Sequence, residues 1–231
     1  GTTFTAWIMS LGYNVDLTIV VFPAFFLGIM LIYSKKRRYF GDFLFGIAFL
    51  FFALVLLSAA GKDLNLEHNP SVIDFFSSFD TKSHLTIITF LLIGTVITCI
   101  VQSSAAVMAI TILLCSTGVL PIYLGIALVM GENIGTTATA NLAALGANAQ
   151  ARRAALAHLV FNVFGVIWVL CLFYPFVNFV CSLVGYNPDG NMSAAQKATL
   201  LPIVLAMFHT CFNVCNTAVL IWFIPQIEKL V

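Results

Sequence analysis

Read along its length, the chain alternates long apolar runs with short polar interruptions, and the runs have the length of membrane spans. A helix that crosses a bilayer needs about 20 mostly apolar residues. Residues 15–33 meet this, with Pro23 and Gly28 as expected kinks, and end on Lys35-Lys36-Arg37-Arg38. A second span is predicted over 43–60. The stretch 61–83 is polar, with a short amphipathic piece carrying Val72, Ile73, Phe75, Phe76 and Phe79. A third apolar run starts at Leu85, is interrupted by Gln102-Ser103-Ser104, and resumes over 105–115. Gly118 and Pro121 mark a turn. Residues 122–130 make half a span, 131–137 are predicted to break it, and 138–145 make the other half. Arg152-Arg153 precede a long span over 154–184, expected to bend at Pro175. Residues 187–191 read as a loop, and a last span covers 198–223.

Positive charge in short loops marks the cytoplasmic side. The Lys35-to-Arg38 cluster anchors one loop inside, and the span at 43–60 then delivers 61–83 outside. Arg152-Arg153 form the second inside anchor. Reaching it from outside requires an odd number of crossings between 84 and 151. If 85–115 formed one full span, Arg152 would lie outside. A re-entrant hairpin with Gln102-Ser103-Ser104 at its tip, followed by one crossing over 122–146, puts Arg152 inside. The charge pattern therefore predicts the hairpin.

Composition agrees with a bilayer. The chain is 61% hydrophobic and 8% charged, with mean hydropathy +1.05, whereas soluble domains carry roughly 25% charged residues. A net charge of +1 carries no signal for nucleic acid. The cysteines at 99, 115, 171, 181, 211 and 215 form no CxxC pair, and Cys211 and Cys215 read as small hydrophobes on one helix face.

One internal repeat stands out. Gly1-Thr2-Thr3, continuing through Thr5-Ala6 to Leu11-Gly12, matches Gly135-Thr136-Thr137 through Thr139-Ala140 to Leu145-Gly146. The charge rule puts the first copy's end outside and the second copy's end inside, so the copies are inverted. A polar, Gly-broken motif occurring twice in apolar segments points to a transporter site between two repeats. The chain is then expected to begin partway through the first repeat. Lipid cannot satisfy a broken backbone, so breaks at 102–104 and 131–136 would face protein or a water-filled cavity. Helix N-termini behind Ser103-Ser104 and Thr136-Thr137 would receive an anion. Hydroxyls, carbonyls and Asn133 would add oxygen for a hard cation. The plainer account, small residues packing helices closely, competes with this. His158-x-x-Phe161-Asn162-Val163 and His209-x-x-Phe212-Asn213-Val214 form a second echo, read as interhelical hydrogen bonding.

Gln102-Ser103-Ser104 together with Gly131-Glu132-Asn133-Ile134-Gly135-Thr136-Thr137 resembles the second repeat of the sodium/phosphate cotransporter family (type II, including its bacterial members). Its repeats carry a Gln-Ser-Ser-Ser tip and a Gly-Ala-Asn-Ile-Gly-Thr-Thr break. The segments Arg152 onward to Asn162 and Phe208-His209-Thr210-Cys211-Phe212-Asn213 also fit. The resemblance implies an all-α polytopic membrane protein, an inverted-repeat transporter with a re-entrant helical hairpin and broken transmembrane helices, in a bacterial inner membrane or plasma membrane. Residues 1–60 would end the first repeat, 61–83 form an external loop, and 84–231 form the second repeat. Substrate contacts fall to Gln102, Ser103, Ser104, Asn133, Thr136 and Thr137, with Thr2 and Thr3 as first-repeat counterparts. Sodium, the coupling ion, falls to Ser103, Ser104, Asn133 and Thr136, with Glu132 added as a candidate by its own carboxylate and not by the resemblance; no cofactor is implied. The absent first half of repeat 1 would complete the site.

Two departures matter. Ala105 stands where the family has a third Ser, and Glu132 replaces the usual Ala. A carboxylate at that depth is a functional candidate; it would bind a cation, exchange a proton, or sit protonated against a backbone carbonyl. The function so implied is secondary active transport of inorganic phosphate coupled to sodium. The residues leave open another small oxyanion, and protons in place of sodium. An intramembrane hydrolase with Ser103 or Ser104 as nucleophile and His158 or His209 as base lacks a nucleophile elbow and an orienting acid. A plain membrane scaffold would have no use for disrupted spans.

Overall fold

The computed structural model describes residues 2–65 and 68–231. Gly1, which opens the first copy of the repeat, and Leu66 and Glu67 of the external loop lie outside the described residues. Those described form helices with no strand among them. In chain order these are α1 (Thr2–Asn14), α2 (Thr18–Ile32), α3 (Arg38–Asp63), α4 (Pro70–Ser77), α5 (His84–Val101), α6 (Ser104–Ser116), α7 (Ile122–Ala144), α8 (Ala149–Cys171), α9 (Phe173–Val184), α10 (Ala194–Leu220) and α11 (Ile224–Leu230).

Four helical stretches among the described residues are long and apolar enough to cross a membrane: Arg38–Gly61, His84–Val101, Ala149–Cys171 and Ala194–Leu230. Large apolar side chains such as Phe22, Phe26, Leu85 and Ile100 stand exposed around them. An apolar surface of that extent is stable only against acyl chains, and the chain is a multi-pass membrane protein. The expected span over 15–33 is shorter than predicted. Its helix, α2, begins only at Thr18 and runs 15 residues, because Asp16 turns the chain by accepting from the Thr18 hydroxyl (2.6 Å) and N–H (3.0 Å). The same two bonds hold the Asp16 carboxyl below the usual carboxylate range.

The centre of the molecule is α7, most of whose residues from Ile122 to Gly135 are buried. It carries Glu132, Asn133, Thr136, Thr137 and Asn141, too polar for lipid, and its neighbours shield it. The predicted break at 131–136 is not there: α7 is one continuous helix of 23 residues. Two observations explain this. The Thr136, Thr137 and Thr139 hydroxyls donate to the carbonyls of Glu132, Ile134 and Thr136, all at 2.7 Å, so the helix satisfies its own hydroxyls. The glycines serve close approach, not bending. A Cβ on Gly131 would strike the Leu91 carbonyl and the Thr95 amide, and one on Gly135 would lie 2.6 Å from the Thr95 carbonyl. Thr95 Oγ1 bridges the seam, donating to Leu91 O (2.9 Å) and Gly131 O (3.2 Å). This is the small-residue packing that membranes favour.

Contacts along the seam fix direction. Gly94 meets Leu128, Gly131 meets Leu91 and Thr95, and Gly135 meets Thr95 and Thr98, so α5 and α7 run parallel. Between them α6 runs back, with Thr111 against Glu132 and Cys115 against Gly125. The His84 ring lies 5.2 Å from Tyr174, which lies 5.5 Å from Tyr123. The start of α5 and the start of α7 therefore share one end of the bundle, and α5–α6 is a hairpin with both ends there. Its tip falls short of the other end. Cys99 sits beside Gly135, which places Gln102 about 9 Å above the end of α7 at 1.5 Å per residue.

The long span expected over 154–184 is two helices. Pro175 lacks an N–H and its ring crowds the carbonyl four residues back; that residue is Cys171, where α8 ends. Beyond it α9 turns across the bundle end, with Tyr174 donating to Thr81 O and Tyr123 to Asn178 Oδ1. A helix is thus interrupted at 172 and not at 131–136. Close to the opposite end, Arg153 donates to Glu228 O of α11 and Arg152 to Leu145 O.

Candidate substrate site between the two repeats

A cavity of about 180 Å³ lies midway along the bundle, lined by Thr2, Thr3, Asn133, Thr136, His158, Phe161, Asn162, His209 and Asn213. Pockets for drug-sized organic molecules start at about 300 Å³, so this one suits a small ion. Its construction follows from the repeat. Thr2 and Thr3 open α1, which leaves the cavity toward the end where Gly12, Asp16 and Gly61 gather. Thr136 sits on α7, which leaves toward Arg152. Thr2 and Thr3 of one copy meet Thr136 of the other at the cavity, on helices that depart from it in opposite directions.

The remaining wall comes from α8 and α10, through the His-x-x-Phe-Asn echo. Each Asn donates its Nδ2 to the carbonyl of its own His, Asn162 to His158 O at 2.9 Å and Asn213 to His209 O at 2.8 Å. His209 is 3% exposed. Its Nε2 lies 3.1 Å from Asn133 Oδ1, and its Nδ1 lies 3.0 Å from Thr3 Oγ1 and from Asn213 Nδ2. Sequence reasoning treated these four residues as helix ties. The signal that they line the site was the echo itself, two copies of one motif in a chain whose other repeated motif flanks the cavity.

Of the expected site residues, Thr2, Thr3, Asn133 and Thr136 line this cavity, and Gln102, Ser103, Ser104 and Thr137 are not among the lining residues. Thr137 is buried on α7, donating to Ile134 O. Ser103 caps α6, its hydroxyl accepting from Ala106 N at 3.2 Å, and Gln102 holds the hairpin tip in left-handed backbone at φ 56°. Glu132 is 2% exposed and faces α6: its Oε1 accepts from Thr111 Oγ1 at 3.2 Å, and Oε2 has no partner. It stands beside the cavity wall and not in it. No hydrogen bond joins Ser103 or Ser104 to a histidine among the described residues, and both ring nitrogens of His209 are engaged with Asn and Thr. Nor do three or more His, Cys, Asp or Glu side chains cluster there as a transition-metal site would require.

The chain is 27% identical over 208 residues to "Uncharacterized protein YqeW" of Bacillus subtilis (strain 168), covering 90% of this chain and 64% of the relative. It is 27% identical over 207 residues to "Putative inorganic phosphate export protein YjbB" of Escherichia coli (strain K12), covering 88% of this chain and 34% of that protein. Over 89 residues it is 40% identical to human "Sodium-dependent phosphate transport protein 2B", covering 37% of this chain and 12% of the relative. The chain thus spans under two thirds of the length of these relatives. No solved structure matches. The model of the Na+/Pi-cotransporter family matches residues 1–59 and 78–184, and with that stretch taking in α1, the hairpin and α7, this chain belongs to the Na+/Pi-cotransporter family.

Proposed function

We propose that the protein moves inorganic phosphate across the membrane coupled to sodium, by alternating access of the cavity between α1, α7, α8 and α10. The observation that carries this reading is the meeting of Thr2 and Thr3 with Thr136, from oppositely directed helices, at a small polar cavity in mid-bundle. Inverted repeats that contribute equivalent groups to one site allow one half to rock against the other while the site stays in place.

Charge supports the pairing of an anion with cations. Among the described residues no Asp, Glu, Lys or Arg lines the cavity, so a phosphate alone would enter without a fixed counter-charge from them. Sodium ions bound alongside would supply it. The Thr136 proton is committed to Glu132 O, which leaves that hydroxyl's lone pairs for a cation. In this reading Glu132, behind the same wall, is a further candidate ligand for the cation. Gln102, Ser103 and Ser104 complete the ligand shell when the hairpin tip closes on the cavity.

The test is flux. In proteoliposomes containing the intact protein, radiolabelled phosphate should move down an imposed sodium gradient, and Thr136→Val should raise the sodium concentration for half-maximal flux roughly tenfold, the scale of one ligand to a charged species. Phosphate flux indifferent to sodium would overturn the coupling, and no phosphate flux in either direction would overturn the substrate.

A further inference from the structure

Hydrogen-bond polarity in the cavity wall can be traced from a group whose role is fixed. The backbone carbonyl of His209 accepts only, and Asn213 Nδ2 lies 2.8 Å from it. The Asn213 atom at 3.0 Å from His209 Nδ1 is that same Nδ2, so Nδ1 faces an N–H and must accept. A neutral imidazole with an accepting Nδ1 carries its proton on Nε2. The Asn133 atom 3.1 Å from Nε2 must then be the acceptor, Oδ1. That leaves Asn133 Nδ2, the other arm of the amide, enclosed and without a partner, on a side chain that is 8% exposed and borders the cavity. A buried N–H donor without a partner costs about 1–3 kcal/mol, a cost that an anion oxygen in the cavity would remove. The same relay orients Thr3, whose hydroxyl lies 3.0 Å from the accepting Nδ1 and 3.3 Å from Asn213 Nδ2. The single lone pair of Nδ1 is shared between the Asn213 N–H and the Thr3 O–H, and Asn213 also reaches Thr3 Oγ1, so the ring and Asn213 together fix the Thr3 hydroxyl at the cavity edge.

We propose that His209 is a positioning residue that sorts the cavity into an anion side and a cation side. It engages the Asn133 carbonyl and leaves the N–H free for a ligand, so Asn133 belongs to the phosphate and not to sodium, and with Asn213 it fixes the Thr3 hydroxyl at the cavity edge as a cation ligand. Without the ring, the Asn133 amide is free to turn over and present its carbonyl, which repels a phosphate oxygen. The element that supplies His209, α10, lies beyond the stretch that the family model matches.

The inference rests on the phosphate reading, and its test separates the two. Binding of inorganic phosphate to the intact detergent-purified protein at saturating sodium should weaken roughly tenfold or more in His209→Leu and in Asn133→Ala, the scale of a hydrogen bond to a charged group. In the Asn133→Ala background, His209→Leu should cost nothing further, since its effect on phosphate passes through Asn133. His209→Gln, which keeps an N–H for Asn133 Oδ1, should recover most of the affinity. Additive losses, or no recovery with Gln, would overturn the proposal. The tautomer itself is read on the unmutated protein: ¹⁵N NMR should show the His209 ring, assigned by its loss in His209→Gln, as the Nε2–H tautomer. An Nδ1–H ring would overturn the relay. Were the wild-type protein to bind no phosphate, the functional reading would fall while the tautomer still decided the relay.

Discussion

Two residues carry unspent free energy, and each predicts a measurable consequence. Glu132 is fully enclosed with one carboxylate oxygen unpartnered. A carboxylate in that position attracts a cation and repels an anion, so its removal acts oppositely on the two. Glu132→Gln should weaken sodium activation of phosphate flux several-fold, while phosphate affinity at saturating sodium changes less; a well-folded variant with unchanged sodium activation would make Glu132 a packing group tied to Thr111. Gln102 sits at φ 56°, where a side chain costs about 1–2 kcal/mol relative to glycine. Strain of this kind is tolerated where the side chain has a task. Gln102→Gly should therefore raise thermal stability, by about 1 kcal/mol, and lower phosphate flux. A variant both more stable and fully active would remove Gln102 from the site.

At the scale of elements, the α5–α7 seam decides how much of the site exists at all. It joins backbone to backbone through Gly94, Gly131 and Gly135, and a methyl group at Gly131 has no room because its neighbours are main-chain atoms that cannot rotate away. Gly131→Ala should cost about 3 kcal/mol, the upper range for overpacking, read as a lower unfolding temperature in detergent. Gly46 on α3 meets nothing within 4 Å. Gly46→Ala should be neutral or stabilising by up to about 1 kcal/mol, since alanine is the better helix former. Equal effects at the two positions would show that the seam is not close-packed. Sequence reading marked the right glycines here and misread their use. A glycine that lets a helix bend and one that lets a second helix approach are the same residue; the difference lies in Thr95, 36 positions away in the chain.

For the whole molecule, the hairpin and the inverted repeat make a topological prediction. In a cysteine-free background, Lys82→Cys and Thr117→Cys should react with a membrane-impermeant maleimide from one side, and Gln150→Cys from the other. Labelling of Lys82→Cys together with Gln150→Cys, with Thr117→Cys reacting from the other side, would mean that α5–α6 crosses once and not back, and the two Thr-Thr copies would no longer be inverted.

What the sequence determined alone was the solvent of each segment. Runs of apolar residues located most of the membrane-spanning segments, and the two basic clusters predicted the hairpin, because partition between lipid and water depends on local composition. The repeated Gly-Thr-Thr also announced a shared site, since repetition is visible without coordinates. Tertiary structure decided which polar residues reach that site. Asn133 lines the cavity while adjacent Glu132 faces α6, a consequence of about 100° of rotation per residue and of which neighbour packs on each face. It also decided what each residue offers. Asn133 can present a donor or an acceptor with equal ease, and only a hydrogen-bond chain running through His209 to a carbonyl on another helix selects between them.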